Sequence, residues 1–334
     1  MFSLSGKMRT TFLSPIFHNC DKMFIKKEDV INMRISSKNK KWVGGIVLIC
    51  LLVMIVGLVV KSNSSEVGDV STLVEGEYQQ GEDRVVEMND RVVEMNGVKL
   101  TLKFVKAGSF RMGSPTTEKD RKDDEAQFRV TLKDYWLGKT EVTQEQYEAV
   151  MGENPSYFRK GGNYPVERVS WTGAMVFCER LTKAERANGN LPDGYEYKLP
   201  TEAQWEYAAR GGHKNSRYHI YSGGDEINDV AWYYNNSKRS THPVAQKHAN
   251  ELGLYDMSGN VEEWCRDIYE ANPYSAIKEP PDDLPPEGPC RVLRGGSWCS
   301  NSKHCRSANR ECQSPKDRLD LFGFRVALAP VQFH

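Results

Sequence analysis

The stretch that decides the fold is Gly253-Leu254-Tyr255-Asp256-Met257-Ser258-Gly259-Asn260-Val261-Glu262-Glu263-Trp264. Half of it is Gly, Asn or acid, a composition that makes turns rather than helix. Downstream lie Arg291-Val292-Leu293-Arg294-Gly295-Gly296-Ser297-Trp298 and then Phe322-Gly323-Phe324-Arg325. Across this C-terminal half, Gly, Asn, Asp and Pro recur every few residues, and Pro273 to Pro289 holds six of the chain's 15 prolines. Loops and short strands follow from that texture. Upstream, Val98–Ala107 and Phe128–Leu132 alternate apolar and polar residues like half-buried strands.

Three helices between these regions are marked by their ends. Thr143 with Gln146 is a capping box preceded by Val142, and Gly152 is its stop. Ser170 caps a second helix whose stripe of Ala174, Phe177, Cys178 and Leu181 has helical spacing and ends at Asn188-Gly189. Thr201 with Gln204 opens the third, in the string Leu199-Pro200-Thr201-Glu202-Ala203-Gln204-Trp205-Glu206-Tyr207-Ala208-Ala209-Arg210-Gly211-Gly212. The fold class is α+β with much irregular structure.

Composition sets the limits. The chain has 334 residues, 45 Lys+Arg against 45 Asp+Glu, and 39% hydrophobic residues. That excludes a disordered chain, and zero net charge argues against a broadly basic nucleic-acid binder. The neutrality hides segregation. Residues 1–41 carry nine basic and three acidic residues, so 9 − 3 = +6 there and 36 − 42 = −6 in the rest. Between Trp42 and Val60 lie 19 uncharged residues, which as helix would reach roughly 28 Å. The positive-inside rule predicts a basic cytoplasmic tail (1–41), an N-terminal transmembrane helix and signal anchor (42–60), and an extracytoplasmic remainder, periplasmic or at the cell surface. A cleaved signal peptide starting at Met33 is the other reading. Residues 61–96 read as a linker carrying the duplicated heptad DRVVEMN (83–89 and 90–96).

Together with Phe110-x-Met112-Gly113-Ser114 and the third-helix string, these motifs resemble the sulfatase-modifying-factor family. Its members include the formylglycine-generating enzymes, and its fold is a variant of the C-type lectin-like fold. The resemblance runs from about Val98 to Pro330, so residues 97–330 are expected to form that domain. It implies an oxygen-dependent oxidation of a Cys in a Cys-x-Pro-x-Arg segment of a sulfatase, on copper(I) held by two thiolates spaced Cys-x4-Cys. Here Cys305 falls on the second cysteine, but Ser300 stands on the first, and Cys299 lies one residue early. Cys299 could replace the missing ligand. It could also pair with Cys305 in a disulfide, or either could pair with Cys265, Cys290 or Cys312. Alternatively the copper site is dead. The family's aromatic before the Glu-Trp pair is Glu262 here, and its Asn before Leu-Gly-Phe-Arg aligns with Leu321.

The resemblance also implies a structural Ca2+ on Asp256, the carbonyls of Gly259 and Val261, and Glu263, against the plainer reading that Asp256 and Asn260 make turn hydrogen bonds. Candidate catalytic residues are Cys305, Cys299, Ser300 and Ser297. Candidate pocket residues are Trp298, His304, Arg306 and Arg310. Two functions follow: an enzyme modifying a protein or peptide thiol, or a non-catalytic lectin-like binding or scaffold module of an envelope assembly. The expected partner is a protein or peptide in the envelope, a sulfatase being one such protein, and the membrane through 42–60.

Overall fold

The computed structural model describes residues 89–272 and 288–331. The basic tail, the apolar run and residues 61–88, with all of the first heptad copy but Asn89, lie outside them. Among the described residues, no helix is long and apolar enough to cross a membrane.

All three end-marked helices form where their caps place them. Thr143 and Thr201 each accept from the amide three residues on, and Gln146 and Gln204 reach back to the cap amides. These boxes start α1 (Gln144–Met151) and α3 (Glu202–Ala209). Gly152 ends α1 with φ +81°, a conformation glycine adopts at no steric cost. Ser170 caps α2 (Trp171–Ala187), which buries Ala174, Phe177, Cys178 and Leu181.

The strands are β1 (Arg91–Met95), β2 (Val98–Val105), β3 (Gly108–Met112), β4 (Phe128–Leu132), β5 (Tyr135–Gly138), β6 (Tyr195–Lys198), β7 (Glu262–Ile268), β8 (Arg291–Arg294), β9 (Glu311–Gln313), β10 (Phe322–Gly323) and β11 (Ala327–Pro330). A five-stranded sheet runs β1-β2-β5-β11-β6, a four-stranded sheet β10-β7-β8-β9, and β3 pairs β4. Strand β10 pairs β7 in parallel, which sets Phe322 beside Glu262. The main apolar core gathers Leu100, Leu102, Trp136, Phe177, Leu181, Trp264, Phe322 and Phe324.

One expectation is corrected. The second heptad copy is not linker. Its Arg91–Met95 forms the edge strand β1, in register with β2 from Arg91 opposite Leu102 to Met95 opposite Val98. Val93 and Met95 enter the core, while Asn96 and Gly97, at φ +51° and +82°, make the hairpin turn. In this copy, pairing with β2 gives the alternation its buried face. Val93 is 2% exposed. Val93→Asp is expected to lower unfolding free energy by about 2–4 kcal/mol, read from denaturant midpoints.

Candidate functional site

The signature turn closes over a buried charge centre. Asp256 (φ +57°), Gly259 (+83°) and Asn260 (+62°) are all left-handed. A Cβ on Gly259 would sit 2.3 Å from the carbonyl oxygen of Trp232, so no side chain fits there. Asn260 donates to Glu141 Oε2 at 2.7 Å and receives the His242 amide at 2.9 Å. Val261 N–H donates to Glu141 Oε1 at 2.9 Å.

Next in line, Glu263 accepts Arg325 Nε and Nη2 at 2.6 Å each and Trp205 Nε1 at 2.7 Å. Glu263, Arg325 and Trp205 are all fully buried. Arg325 also donates to the carbonyls of Gly138 and Tyr255. Burial works against its charge, but Glu263, Glu141 and Asp256 outweigh that and hold the guanidinium more firmly protonated than usual. Burial, with the neighbouring Asp256 and Glu263, pushes Glu141 well up, and burial raises Asp256 to about 6.

This geometry bears on the calcium expectation. Asp256 Oδ2 is bonded to the Ala245 amide at 2.7 Å, and the Glu263 carboxylate is committed to Arg325 and Trp205. Glu141, Asp256 and Glu263 together set three carboxylates around the single guanidinium of Arg325, so the plainer reading of turn hydrogen bonds holds for Asp256 and Asn260 as well. Among the described residues no three His, Cys, Asp or Glu side chains form a metal-holding group.

The cysteine region is built on the turn Gly295-Gly296, both left-handed. A Cβ on Gly296 would lie 2.9 Å from Cys305 Sγ, so glycine lets the turn sit on the sulfur. Cys305 is 0% exposed and packs with Val230, Ala231 and Tyr233. Burial first, then the nearby Glu262, drives its thiol far above the usual range. Cys299 instead lies 3.6 Å from Ser297 Oγ, and Ser297 Oγ is 3.0 Å from Ser300 Oγ. Ser300 donates to Glu262 Oε1 at 3.3 Å. Burial and the adjacent Glu311 push Glu262 up to about 8. Neither Cys299 nor Cys305 is in a disulfide; the bridge joins Cys290 to Cys312.

The two arginines expected in a pocket turn inward instead. Arg306 binds Glu118 and Glu125, and Arg310 forks onto both oxygens of Glu202 at 2.6 and 2.8 Å. They are 2% and 3% exposed, so they fasten loops and do not line an open pocket. His304 contacts Glu311 at 3.0 Å. Trp298 stays partly open, its indole N–H on the Asp320 carbonyl and its ring 5.3 Å from Phe158.

A family model described as the sulfatase-modifying factor enzyme 1-like domain matches residues 93–330. The chain belongs to the sulfatase-modifying-factor family. A chaperone protein LppX of Paenibacillus barcinonensis is 36% identical over 242 residues, 60% of this chain and 79% of that one. The formylglycine-generating enzyme of Thermomonospora curvata is 32% identical over 190 residues, 51% of this chain and 57% of that enzyme. Among solved structures, Treponema denticola variable protein 1 aligns with a TM-score of 0.60 at 31% identity, over 72% of this chain and 99% of that one. The family model begins within β1, in agreement with the edge strand found above.

Within this family fold, sequence reasoning placed Ser297, Ser300 and Glu262 in one region and the structure joins them. It missed Glu141 and the role of Arg325. The signal for the latter was present, since Glu and Arg occupy fixed places in two of the motifs. Two outcomes are expected. Glu263→Gln leaves a buried guanidinium short of its partner and lowers stability by about 3–5 kcal/mol, read from denaturant midpoints. Glu167, raised to about 7 by burial, Asp267, raised to about 7 by burial and Glu202, and Glu262 all prefer the protonated form when folded. Their stabilisation is complete below the unfolded carboxyl range and is lost as pH rises through about 7 to 8. Melting temperature should therefore fall from about pH 5.5 to about pH 9 in a thermal scan series.

Proposed function

We propose that this chain is a non-catalytic binding module of the sulfatase-modifying-factor family, carried outside the cytoplasm by the apolar segment 42–60 and engaging a protein or peptide of the cell envelope. The observation that carries this reading is the sealing of Cys305. Copper(I) chemistry needs two accessible thiolates facing one ion. Here one sulfur is fully buried with its thiol pKa driven up, the other lies against Ser297, and the position of the first ligand is a serine bonded to a carboxyl. The residues present do not fit the copper pair, and no oxidation step is derived through it.

What surrounds the altered site suits recognition. Tyr157 and Tyr234 are 58% and 52% exposed. Tyr157 packs edge-on against Phe158 at 5.0 Å, Phe158 against Trp298, and the Tyr234 amide binds the Ser300 carbonyl. Exposed aromatics beside a polar floor give contact area at low entropic cost, with polar tips to fix orientation. The relative named a chaperone supports a protein as the partner.

The test is a copper(I) titration of the reduced full-length protein, followed by incubation with a Cys-x-Pro-x-Arg peptide and oxygen. The reading expects no stoichiometric tight copper and no aldehyde by mass spectrometry, and no change in either on Cys305→Ala. Tight one-to-one copper with aldehyde formation, both lost in Cys305→Ala, would establish the enzyme instead.

A further inference from the structure

The β3–β4 ribbon carries a second feature, remote in sequence from the signature turn and independent of the proposed function. Its strands alternate strictly. Met112, Phe128 and Val130 are buried, while Ser109, Arg111, Arg129 and Thr131 are exposed. The register sets Ser109 opposite Thr131 and Arg111 opposite Arg129. The first pair is joined by a 2.7 Å hydroxyl hydrogen bond. The second sets two guanidinium side chains directly opposite each other, an arrangement that destabilises an antiparallel pair unless an anion lies between them. Among the described residues no carboxylate forms an ion pair with either arginine.

Two open cavities lie on this ribbon. One, of about 440 Å³, is walled by Arg111, Arg129, Gln127 and neighbours. The other, of about 430 Å³, is walled by Arg210, His213, Asn215 and neighbours. They meet at Ser109 and Phe110, and no carboxylate lines either. Arg210, whose side chain is 6% exposed, is held by Glu206 at 2.8 Å and by the Gly113 carbonyl and stacks over Tyr218, so it walls the second cavity as an already paired charge. Lys106 and Lys214 are exposed close to His213. Asp134, also close to His213, has one oxygen on the Ala107 amide. The exposed Arg111, Arg129, Lys106 and Lys214, with neighbouring hydroxyls and side-chain amides, thus lie on or beside two adjoining cavities of a chain whose sequence beyond residue 60 is net acidic.

We propose that these adjoining cavities bind a soluble, extended polyanion bearing phosphate or sulfate groups, with Arg111 and Arg129 closing on one oxyanion across the ribbon. A guanidinium presents paired donors that match two oxygens of a tetrahedral oxyanion, and two opposed guanidiniums supply both the charge balance and the geometry. Two open cavities in line along one strand suit a ligand with repeated charges better than a single small ion.

The test is fluorescence anisotropy of the full-length protein with labelled polyphosphate and with a labelled heparin oligosaccharide. Inorganic phosphate and vesicles rich in anionic lipid serve as separate arms. Binding of at least one polymer is expected, weakening with salt. Arg111→Glu with Arg129→Glu should weaken it by tenfold or more, while Arg111→Lys with Arg129→Lys, which keeps charge but loses the fork, weakens it less. Lys183→Glu, on α2, should leave it unchanged. A melting temperature equal to wild type certifies the fold of each exposed-face variant. The proposal is overturned if neither polymer binds, if the double Glu variant binds as well as wild type, if inorganic phosphate binds as tightly as the polymers, or if only vesicles bind.

Discussion

The structure depends on the union of Glu263 with Arg325. This pair ties β7 to the segment entering β11, and through Trp205 and the carbonyls of Gly138 and Tyr255 it also holds α3, the end of β5 and the signature turn. Removing two charges from water is costly, so such a pair persists only when every donor and acceptor is matched. Here the carboxylate receives three donors and the guanidinium serves three groups. Arg294 on Glu202 and Glu206, and Arg310 on Glu202, repeat the device nearby. In a fold with short strands and long loops, buried ion pairs supply the directional ties that extended sheets would otherwise give.

The changes around Ser300 support one another physically. Where the enzymes of the family carry a thiol and an aromatic, this chain carries Ser300 and Glu262, and the two are bonded to each other. A carboxyl beside Glu311 in a partly buried place would be costly if ionised, and its pKa rises accordingly. The hydroxyls of Ser297 and Ser300 are bonded to each other, which gives the buried polar groups of this turn their partners. Ser297, Ser300 and Glu262 thus form one connected polar network.

Much of the fold was legible. The capping boxes at Thr143 and Thr201, the Ser170 cap and the alternation of Phe128–Leu132 are local patterns, and local patterns survive into the structure. The strand in the second DRVVEMN copy was not legible, because five residues of alternation become a strand only where a partner such as β2 lies beside them. Arg306 and Arg310 were read as pocket residues because they follow the cysteine motif. Their carboxylate partners lie more than 100 residues upstream, where no spacing rule reaches.

The sequence by itself determined the family, the helix starts, the glycine turn at 295–296 and the loss of the Cys-x4-Cys pair, since each is written within a dozen residues. Only the tertiary structure decided where the charges go. It gave Glu263 to Arg325, 62 residues away, and it paired Cys290 with Cys312 while sealing Cys305 under Gly296. The physical reason is that a buried charge or thiol takes its properties from the groups packed around it, and chain folding alone assembles those groups.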